Sequence, residues 1–308
     1  MMSGRIVILG GGPVGLSIAE QLGQAGRTSV IAQRKQPGRL PPGAEFEPCD
    51  ALDGAALMRL MQGASALICT IGLAYDAAVW EAAWPKIMAN MLAACSASGA
   101  RLIFIDNLYM YGPQAEPLRE DMPMAATGRK GKVRAAITRQ WQASGVRVAA
   151  LRAPDFYGPG VANSILGTPT IGALAQGRSA QLVVKPDAPH ALAYVPDIAR
   201  AAILLLDAPD DAYGQVWHAP SVPARTPREI LAMAASRLGV KPRLMEMPGW
   251  LMPLVGLFMP FIREWNETSF QHDRPFLVDS SKFERRFGLT PTQLEEGIPL
   301  TADSFRKA

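Results

Sequence analysis

The sequence has few cysteines and no long apolar run, and each shortage removes a class of protein. Cys49, Cys69 and Cys95 form no CxxC pair, so neither a disulfide framework nor a zinc knuckle is expected, and a reducing compartment fits best. The longest apolar stretch, residues 250–262, is interrupted by two prolines, whereas a membrane-spanning helix needs about 20 apolar residues. We therefore expect no integral membrane segment, with attachment to a membrane surface as the lesser alternative.

The sequence also has no large excess of one charge and no histidines at close spacing. The 31 basic and 27 acidic side chains give a net charge of +4 over 308 residues, which is too dilute for a nucleic-acid-binding face. The N-terminus lacks the apolar region of a signal peptide, so a cytoplasmic protein is expected. His190, His218 and His272 lie far apart without metal-ligand spacing, which predicts structural roles and no metal site.

From residue 5 onward, short β-branched runs alternate with longer stretches of helical spacing. Hydrophobic residues make up 49 % of the chain, enough for a buried core. The alternation is typical of βαβ units on a parallel sheet. It predicts strands at 5–9, 28–32, 44–48, 66–71, 101–106, 146–152 and 215–218, and helices at 13–25, 54–61, 79–98, 129–144, 196–206 and 227–238.

A glycine-rich turn follows the first predicted strand. Gly10, Gly12 and Gly15 match G-x-G-x-x-G at the junction of a strand and a helix. In such a loop the first glycine permits a tight turn, the second lets backbone N–H groups approach a pyrophosphate, and the third allows close packing. The pattern predicts a dinucleotide site that includes Pro13 and Val14 at the helix start; the alternative is a turn without a ligand.

The residues after the second strand indicate which dinucleotide is bound. An NAD site usually has a carboxylate about 20 residues after the loop, but this chain has Gln33 followed by Arg34. Arginine can bind a 2′-phosphate that a carboxylate would repel, so NADP(H) is favoured over NAD(H). The alternative is a solvated basic turn. Asp50, next to Ala51, is a candidate adenine contact and Asp53 a helix cap, although both can be turn or cap residues.

Three further motifs carry a family resemblance. Residues 104–112 (FIDNLYMYG), 152–160 (RAPDFYGPG) and 194–200 (YVPDIAR) resemble the fifth strand, the Tyr-Gly-Pro-Gly turn and a later helix start of the extended and atypical short-chain dehydrogenases/reductases. This is the NAD(P)-dependent epimerase/dehydratase group, and the resemblance covers nearly the whole chain. It implies an α/β fold: a Rossmann-type, doubly wound parallel sheet with a smaller C-terminal substrate lobe.

The resemblance also implies domain limits and cofactor contacts. Residues 1–155 would form the Rossmann domain, to which 191–219 returns, and 156–308 would form mainly the substrate lobe. Beyond the glycine loop, Arg34, Asp50 and Ala51, the implied cofactor contacts are Thr70, Ile71, Gly72, Asn107, Lys130, Ala153, Pro154 and Phe156.

The chain departs from the family at its catalytic residues. Active members use a Ser together with the Tyr and Lys of Tyr-x-x-x-Lys, and the phenol transfers the proton. Here Asn107 occupies the Ser position. Alignment places Lys130 at the Tyr position and Arg134 at the Lys position, while a one-gap shift places Lys132 at the Lys position. The phenol is missing in either register.

The replacement acid is therefore open. Asn107 can hydrogen-bond a carbonyl, and Tyr109, Tyr111 and Tyr157 are replacement acids that can equally be packing residues. Lys130 can hold the nicotinamide ribose or protonate a product, or be a solvated residue of a basic run. We take Asn107, Tyr111 and Lys130 as the candidate catalytic residues.

Three functions follow. The first is an NADP(H)-dependent oxidoreductase acting on a small, mainly apolar carbonyl or alcohol compound; the second is a catalytically silent NADP(H)-binding sensor or scaffold; the third is a nucleotide-sugar epimerase or dehydratase. Apolar side chains in the C-terminal half can line a pocket for an oily substrate, form the lobe core or make a homodimer contact: Trp250, Leu251, Leu254, Leu257, Phe258 and Phe261.

Overall fold

The computed structural model describes residues 4–246 and 264–306, which group into two compact units. The first contains Met1–Met110, Arg129–Arg152 and Ile198–His218, and the second contains Tyr111–Gly128, Ala153–Asp197 and Ala219–Ala308. These bounds differ from the predicted domain limits. Residues 111–128 join the second unit because Leu118 pairs there with Leu277 and Asp279 through backbone hydrogen bonds. The chain returns to the first unit at Ile198, later than predicted.

The strands within the described ranges are short and mostly buried. They are β1 Arg5–Leu9, β2 Ser29–Gln33, β3 Ala44–Pro48, β4 Ala64–Cys69, β5 Arg101–Asp106, β6 Val148–Arg152, β7 Asp155–Tyr157, β8 Ala180–Leu182, β9 Leu192–Tyr194, β10 Gln215–His218 and β11 Leu244–Glu246. Seven form the sheet of the first unit in the order β10-β6-β5-β4-β1-β2-β3, and every pair is parallel. The predicted Rossmann-type sheet is confirmed.

The helices within the described ranges are α1 Pro13–Gln24, α2 Gly54–Leu60, α3 Ala77–Ser98, α4 Arg129–Gln142, α5 Ala173–Ala175, α6 Val195–Leu206, α7 Pro227–Leu238, α8 Ser281–Phe287 and α9 Leu294–Arg306. Six of them begin and end close to the predicted residues, and α5, α8 and α9 were not predicted. Side chains cap the starts of α2 and α3: Asp53 accepts from Ala56 N at 3.0 Å, and Asp76 accepts from Ala78 N at 2.8 Å. Such caps stabilise a helix by about 1 kcal/mol each, which explains why α2 and α3 start here.

The core of the first unit lies between the sheet and its helices. Val7, Leu9, Leu67 and Leu102 from central strands pack with Trp84 of α3, all at most 1 % exposed. Because helices cover both faces of a parallel sheet, nearly every residue of its central strands has to be apolar. The alternation of apolar runs along the chain therefore reflects the layers of this unit.

The second unit is built from smaller pieces. Two parallel pairs, β8 with β11 and β7 with β9, accompany a core in which α7 packs against α9. Within 4–246 and 264–306, none of the helices has the length and apolar character that crossing a bilayer requires. The stretch 250–262, with its candidate pocket side chains Trp250, Leu251, Leu254, Leu257, Phe258 and Phe261, lies outside the described residues.

Candidate functional site

The strand order reverses between β1 and β4, and the glycine loop lies at the carboxyl end of β1. Gly10 N donates to Ala32 O at 2.9 Å, and Thr70 Oγ1 donates to Gly10 O at 2.8 Å, so the loop is fixed to both neighbouring strands. Gly10 has φ +118°, in the region that favours glycine. In open α/β sheets, ligands bind at this switch point, where the crevice between strand ends is widest.

The other two glycines of the motif have different roles. A Cβ on Gly15 would lie 2.0 Å from Gly10 O, so only glycine allows α1 to pack this closely. A Cβ on Gly12 would meet nothing within 4 Å, because the space beside it is open. Gly12 is also the N-cap of α1, and no side chain caps this helix start. Open space at an uncapped helix N-terminus fits a pyrophosphate group.

The turn after β2 holds the loop and presents a cation beside it. Gln33 Oε1 accepts from Gly11 N at 2.7 Å, and its Nε2 donates to Lys35 O at 2.6 Å. The Gln33 amide thus joins the glycine loop to the turn after β2. Arg34 is exposed, and no ion pair of its guanidinium is found in the part of the chain that the structure describes.

The remaining predicted cofactor contacts of the first unit lie at neighbouring strand ends. Asp50 is exposed and accepts from Leu52 N at 3.0 Å, which forms a local turn but leaves its second oxygen available. Asn90 Nδ2 donates to Ala51 O at 2.9 Å. After β4, Ile71 is half-buried and Gly72 is exposed, with open space around it. These positions form a rim beside the glycine loop.

Lys130 is fully buried, so its interpretation as a solvated basic residue is wrong. Its Nζ lies 4.5 Å from the centre of the Tyr75 ring, a cation–π distance. Lys132 is exposed, whereas Arg134, one turn after Lys130, is 5 % exposed. The burial pattern supports the register that aligns Lys130 with the missing phenol.

Arg134 belongs to a buried ion cluster with Asp106 and Arg152. Arg134 Nη1 lies 3.0 Å from Asp106 Oδ1 and Arg152 Nε 3.5 Å from Asp106 Oδ2, and the Asp106 side chain is 0 % exposed. The Arg134 guanidinium also lies 4.1 Å from the Trp84 ring centre and 4.6 Å from that of Trp80. Burial lowers the Arg134 pKa while Asp106 opposes that shift, and the arginine stays charged because its ordinary pKa is so high.

The cluster positions Asn107 at the end of β5. Asp106 Oδ1 accepts from Asn107 N at 2.8 Å, and Asn107 Oδ1 accepts from Tyr109 N at 3.1 Å. Because the carbonyl side of the Asn107 amide is used, its Nδ2 is the group that remains to donate. Within 4–246 and 264–306, Nδ2 makes no hydrogen bond.

An aromatic group connects Asn107 with Lys130. The Tyr109 ring stacks on Trp80 with centres 5.9 Å apart, and Tyr75 meets both rings edge-on at 6.4 Å and 6.1 Å. Trp80 is 5 % exposed, so it packs within this group. Contacts therefore run continuously from Asn107 through Tyr109 and Tyr75 to Lys130. Tyr75 and Tyr109 are half-buried.

The other predicted site residues belong to the second unit. Tyr111, Ala153 and Pro154 are buried and Phe156 is half-buried. Tyr157 is 1 % exposed, and burial raises the pKa of its phenol above the ordinary value, which makes it a weaker acid. A role for Tyr157 as the replacement acid is therefore disfavoured.

Sequence reasoning missed a second polar group, located in the second unit. Asp155, His190 and His272 each place a ligand-capable atom within 4.8 Å of the others. Burial raises the Asp155 pKa, but the hydrogen bond and charge of His190 outweigh it and the pKa lies below the usual value. Burial lowers the pKa of His272 to about 4. The sequence did not indicate this group because its three residues lie far apart along the chain. The pairing of β7 with β9 brings Asp155 toward His190.

Solved structures support the fold assignment. WbmH of Bordetella bronchiseptica, in complex with NAD+, is 20 % identical with a TM-score of 0.78 over 99 % of both chains. MoeE5, in complex with UDP-glucose and NAD, is 20 % identical with a TM-score of 0.79 over 99 % of both. The UDP-glucose 4-epimerase of Thermotoga maritima, with UDP-glucose, is 16 % identical with a TM-score of 0.78 over 98 % of this chain and 99 % of its own. Among curated proteins, no match was found.

Sequence comparison identifies the family independently of fold. The profile of the NAD dependent epimerase/dehydratase family matches residues 6–218, from the second residue of β1 to the last residue of β10. The match includes the glycine loop, Asn107 and Lys130. On this match, which spans more than half of its length, the chain belongs to the NAD dependent epimerase/dehydratase family.

Proposed function

We propose that this protein is an NAD(P)-dependent enzyme that oxidises and reduces a hydroxyl-bearing carbon of a nucleotide sugar, with Lys130 in place of the family's phenol. The observation that carries the proposal is the complete burial of Lys130, connected through Tyr75 and Tyr109 to the Asn107 amide. Burying an ammonium group is unfavourable unless its surroundings compensate it. The contact with Tyr75 holds the Lys130 ammonium group in a fixed position on α4, and the alignment with the family's phenol suggests use of its proton.

The residues suggest a simple division of roles. When bound, the nicotinamide cofactor supplies or accepts the hydride at the substrate carbon. The backbone N–H groups at Gly12 and the start of α1 would hold the pyrophosphate. Asn107 Nδ2 donates a hydrogen bond to the substrate oxygen, and Lys130 Nζ donates a proton to that oxygen as the carbonyl is reduced. In the oxidation direction the hydroxyl proton returns to Nζ.

Two substrate classes remain to be distinguished. The nucleotide sugar is supported by structures that are similar across nearly the whole chain and whose ligands are UDP-glucose and NAD. The small, mainly apolar carbonyl compound is supported by the half-buried aromatic residues Tyr75 and Tyr109, which are in contact with each other, with Tyr109 bonded to Asn107. Turnover of UDP-sugars and of small ketones and alcohols, measured through absorbance of the reduced nicotinamide or product analysis, separates the two classes.

Replacing Lys130 by Met tests the catalytic assignment. Loss of general acid–base catalysis typically costs about 10²–10⁴-fold in rate, so kcat is expected to fall by at least about 100-fold. The affinity for the dinucleotide should stay within about threefold, because the pyrophosphate contacts lie elsewhere. The matched control is Lys132→Met, which removes an exposed lysine of the same helix.

Two outcomes would contradict the enzymatic proposal. Undiminished turnover in a folded Lys130→Met protein would remove Lys130 from the mechanism. A wild-type protein that binds the cofactor but turns over neither substrate panel would favour the catalytically silent sensor or scaffold.

We further propose a preference for NADP(H), based on Arg34. Arg34 is exposed and directly follows Gln33, which bonds Gly11 of the loop and presents no carboxylate to repel a 2′-phosphate. Charge-assisted hydrogen bonds contribute about 1.5–3 kcal/mol, so Arg34→Ala should weaken NADPH binding about 10–100-fold. NADH binding should change little. Arg39→Ala, an exposed arginine of the same segment, is the control, and equal losses for both cofactors would contradict the assignment.

A further inference from the structure

Two of the three histidines in the chain meet one carboxylate in the second unit. Asp155 Oδ2 lies 2.8 Å from His190 Nε2, and a nitrogen of His272 lies within 4.8 Å of both ligand atoms. The chain has only three histidines, so the proximity of two of them does not result from a high histidine content. The nucleotide site proposed above does not use these three side chains.

His272 indicates that a ligand is missing from this group. The residue is 5 % exposed, and its Nδ1 is buried without a hydrogen-bond partner in the described ranges. Buried polar atoms are nearly always paired, because an unpaired one has lost its water without replacement. A ligand bound between His272 and the Asp155–His190 pair would give this buried imidazole a polar partner.

We propose that Asp155, His190 and His272 bind one divalent transition-metal ion, for which Zn²⁺ is the best match. Two imidazoles and one carboxylate are ligand types that Zn²⁺ accepts, and three protein ligands leave a fourth position for water. With metal–nitrogen bonds of about 2.0–2.1 Å, the ligand atoms of a tetrahedral site lie about 3.4 Å apart. Asp155 and His190 are already close enough, and His272, whose ligand atom lies within 4.8 Å of theirs, has to approach by at most about 1.4 Å.

Backbone hydrogen bonds fix the segments that carry the three ligands. Asp155 is the first residue of β7 and pairs with Leu192 of β9. His190 N donates to Arg225 O at 2.9 Å, and Lys185 N donates to His272 O at 2.8 Å. A site assembled from anchored segments needs little reorganisation to bind an ion, which favours affinity.

Aromatic rings enclose the group on the sides of both histidines. Trp265 stacks on the His272 imidazole with ring centres 4.1 Å apart and an angle of 12°, and Phe276 lies 5.3 Å from His190. An apolar shell of this kind limits solvent access and orients the ligand rings. The Asp155 side chain is 27 % exposed, so an ion can enter the group from the side on which Asp155 lies.

The test is a titration of metal-depleted, untagged full-length protein with Zn²⁺, followed by calorimetry and by the visible absorption of a Co²⁺ substitute. We expect one ion per chain and Co²⁺ bands typical of mixed nitrogen and oxygen ligands. Loss of a second-shell partner alone costs about 10–100-fold in affinity, so Asp155→Asn and His272→Asn should each weaken Zn²⁺ binding by at least about 100-fold. His218→Gln, which changes the histidine outside the group, should not.

Circular dichroism and thermal unfolding of each variant separate loss of the site from loss of the fold. If His272→Asn does not fold, the near-isosteric Asp155→Asn still decides the question. Absence of stoichiometric binding to the wild type would overturn the proposal, as would equal affinity in folded Asp155→Asn protein or an equal loss in His218→Gln. Because no nucleotide is present, the result does not depend on the proposed enzymatic function.

Discussion

Asp106→Asn is expected to lower the free energy of unfolding by about 3–5 kcal/mol, the usual cost of breaking a buried ion pair from one side. The substitution preserves shape but removes the carboxylate charge that contacts both Arg134 and Arg152, which are 5 % and 1 % exposed. Two buried guanidinium groups would then lose the negative charge that they share. Equilibrium urea unfolding measures the effect through the denaturation midpoint and its slope.

Asp210 provides a matched control at the surface. Its carboxylate also lies between two arginines, at 2.7 Å from Arg101 and 3.4 Å from Arg147, but its side chain is 63 % exposed. Exposed ion pairs contribute about 0–1 kcal/mol, so Asp210→Asn should change stability by less than about 1 kcal/mol. Equal destabilisation by the two substitutions would show that burial of the cluster is not what makes Asp106 important.

Gly12→Ala should leave the fold intact while weakening dinucleotide binding by at least about 100-fold, equivalent to about 2.7 kcal/mol. The added methyl group meets no protein atom within 4 Å, and it would occupy space that we assign to the pyrophosphate. Thermal unfolding and a cofactor titration on the same preparation measure both effects.

Two other glycines make the comparison specific. Gly38→Ala also adds a methyl group in open space and should affect neither stability nor binding. Gly15→Ala places a Cβ 2.0 Å from Gly10 O, so it should destabilise the fold itself. Cofactor binding by Gly12→Ala protein at wild-type affinity would contradict the assigned position of the pyrophosphate.

Local patterns were sufficient to predict the sheet and the glycine loop. The apolar strands β1 and β5 have the predicted bounds because burial on both faces imposes a pattern that neighbouring residues carry by themselves. Gly10 and Gly15 were predictable for a similar reason, since the tight turn and the close packing involve residues near in sequence.

Charged side chains were less predictable because their environment is made by distant segments. Lys130 lies in a run of basic residues that is typical of a solvated surface. It is nevertheless fully buried, because α4 packs against α3 and the Nζ atom lies over the Tyr75 ring. Arg134 is enclosed by Trp80, Trp84 and Asp106, which come from two other elements. The meeting of His190 with His272 likewise depends on tertiary structure, which spacing along the chain does not encode.

The central claim is that the loop at Gly10–Gly15 binds a nicotinamide dinucleotide, and calorimetric titration of the wild-type protein with NADP+ and NAD+ tests it most directly. Performing the titration at two temperatures prevents a vanishing enthalpy from concealing binding. We predict one dinucleotide per chain with micromolar or tighter affinity, equivalent to about −8 kcal/mol, and a lower Kd for NADP+. Absence of heat with either coenzyme at both temperatures, from protein whose folding is verified, would contradict the account.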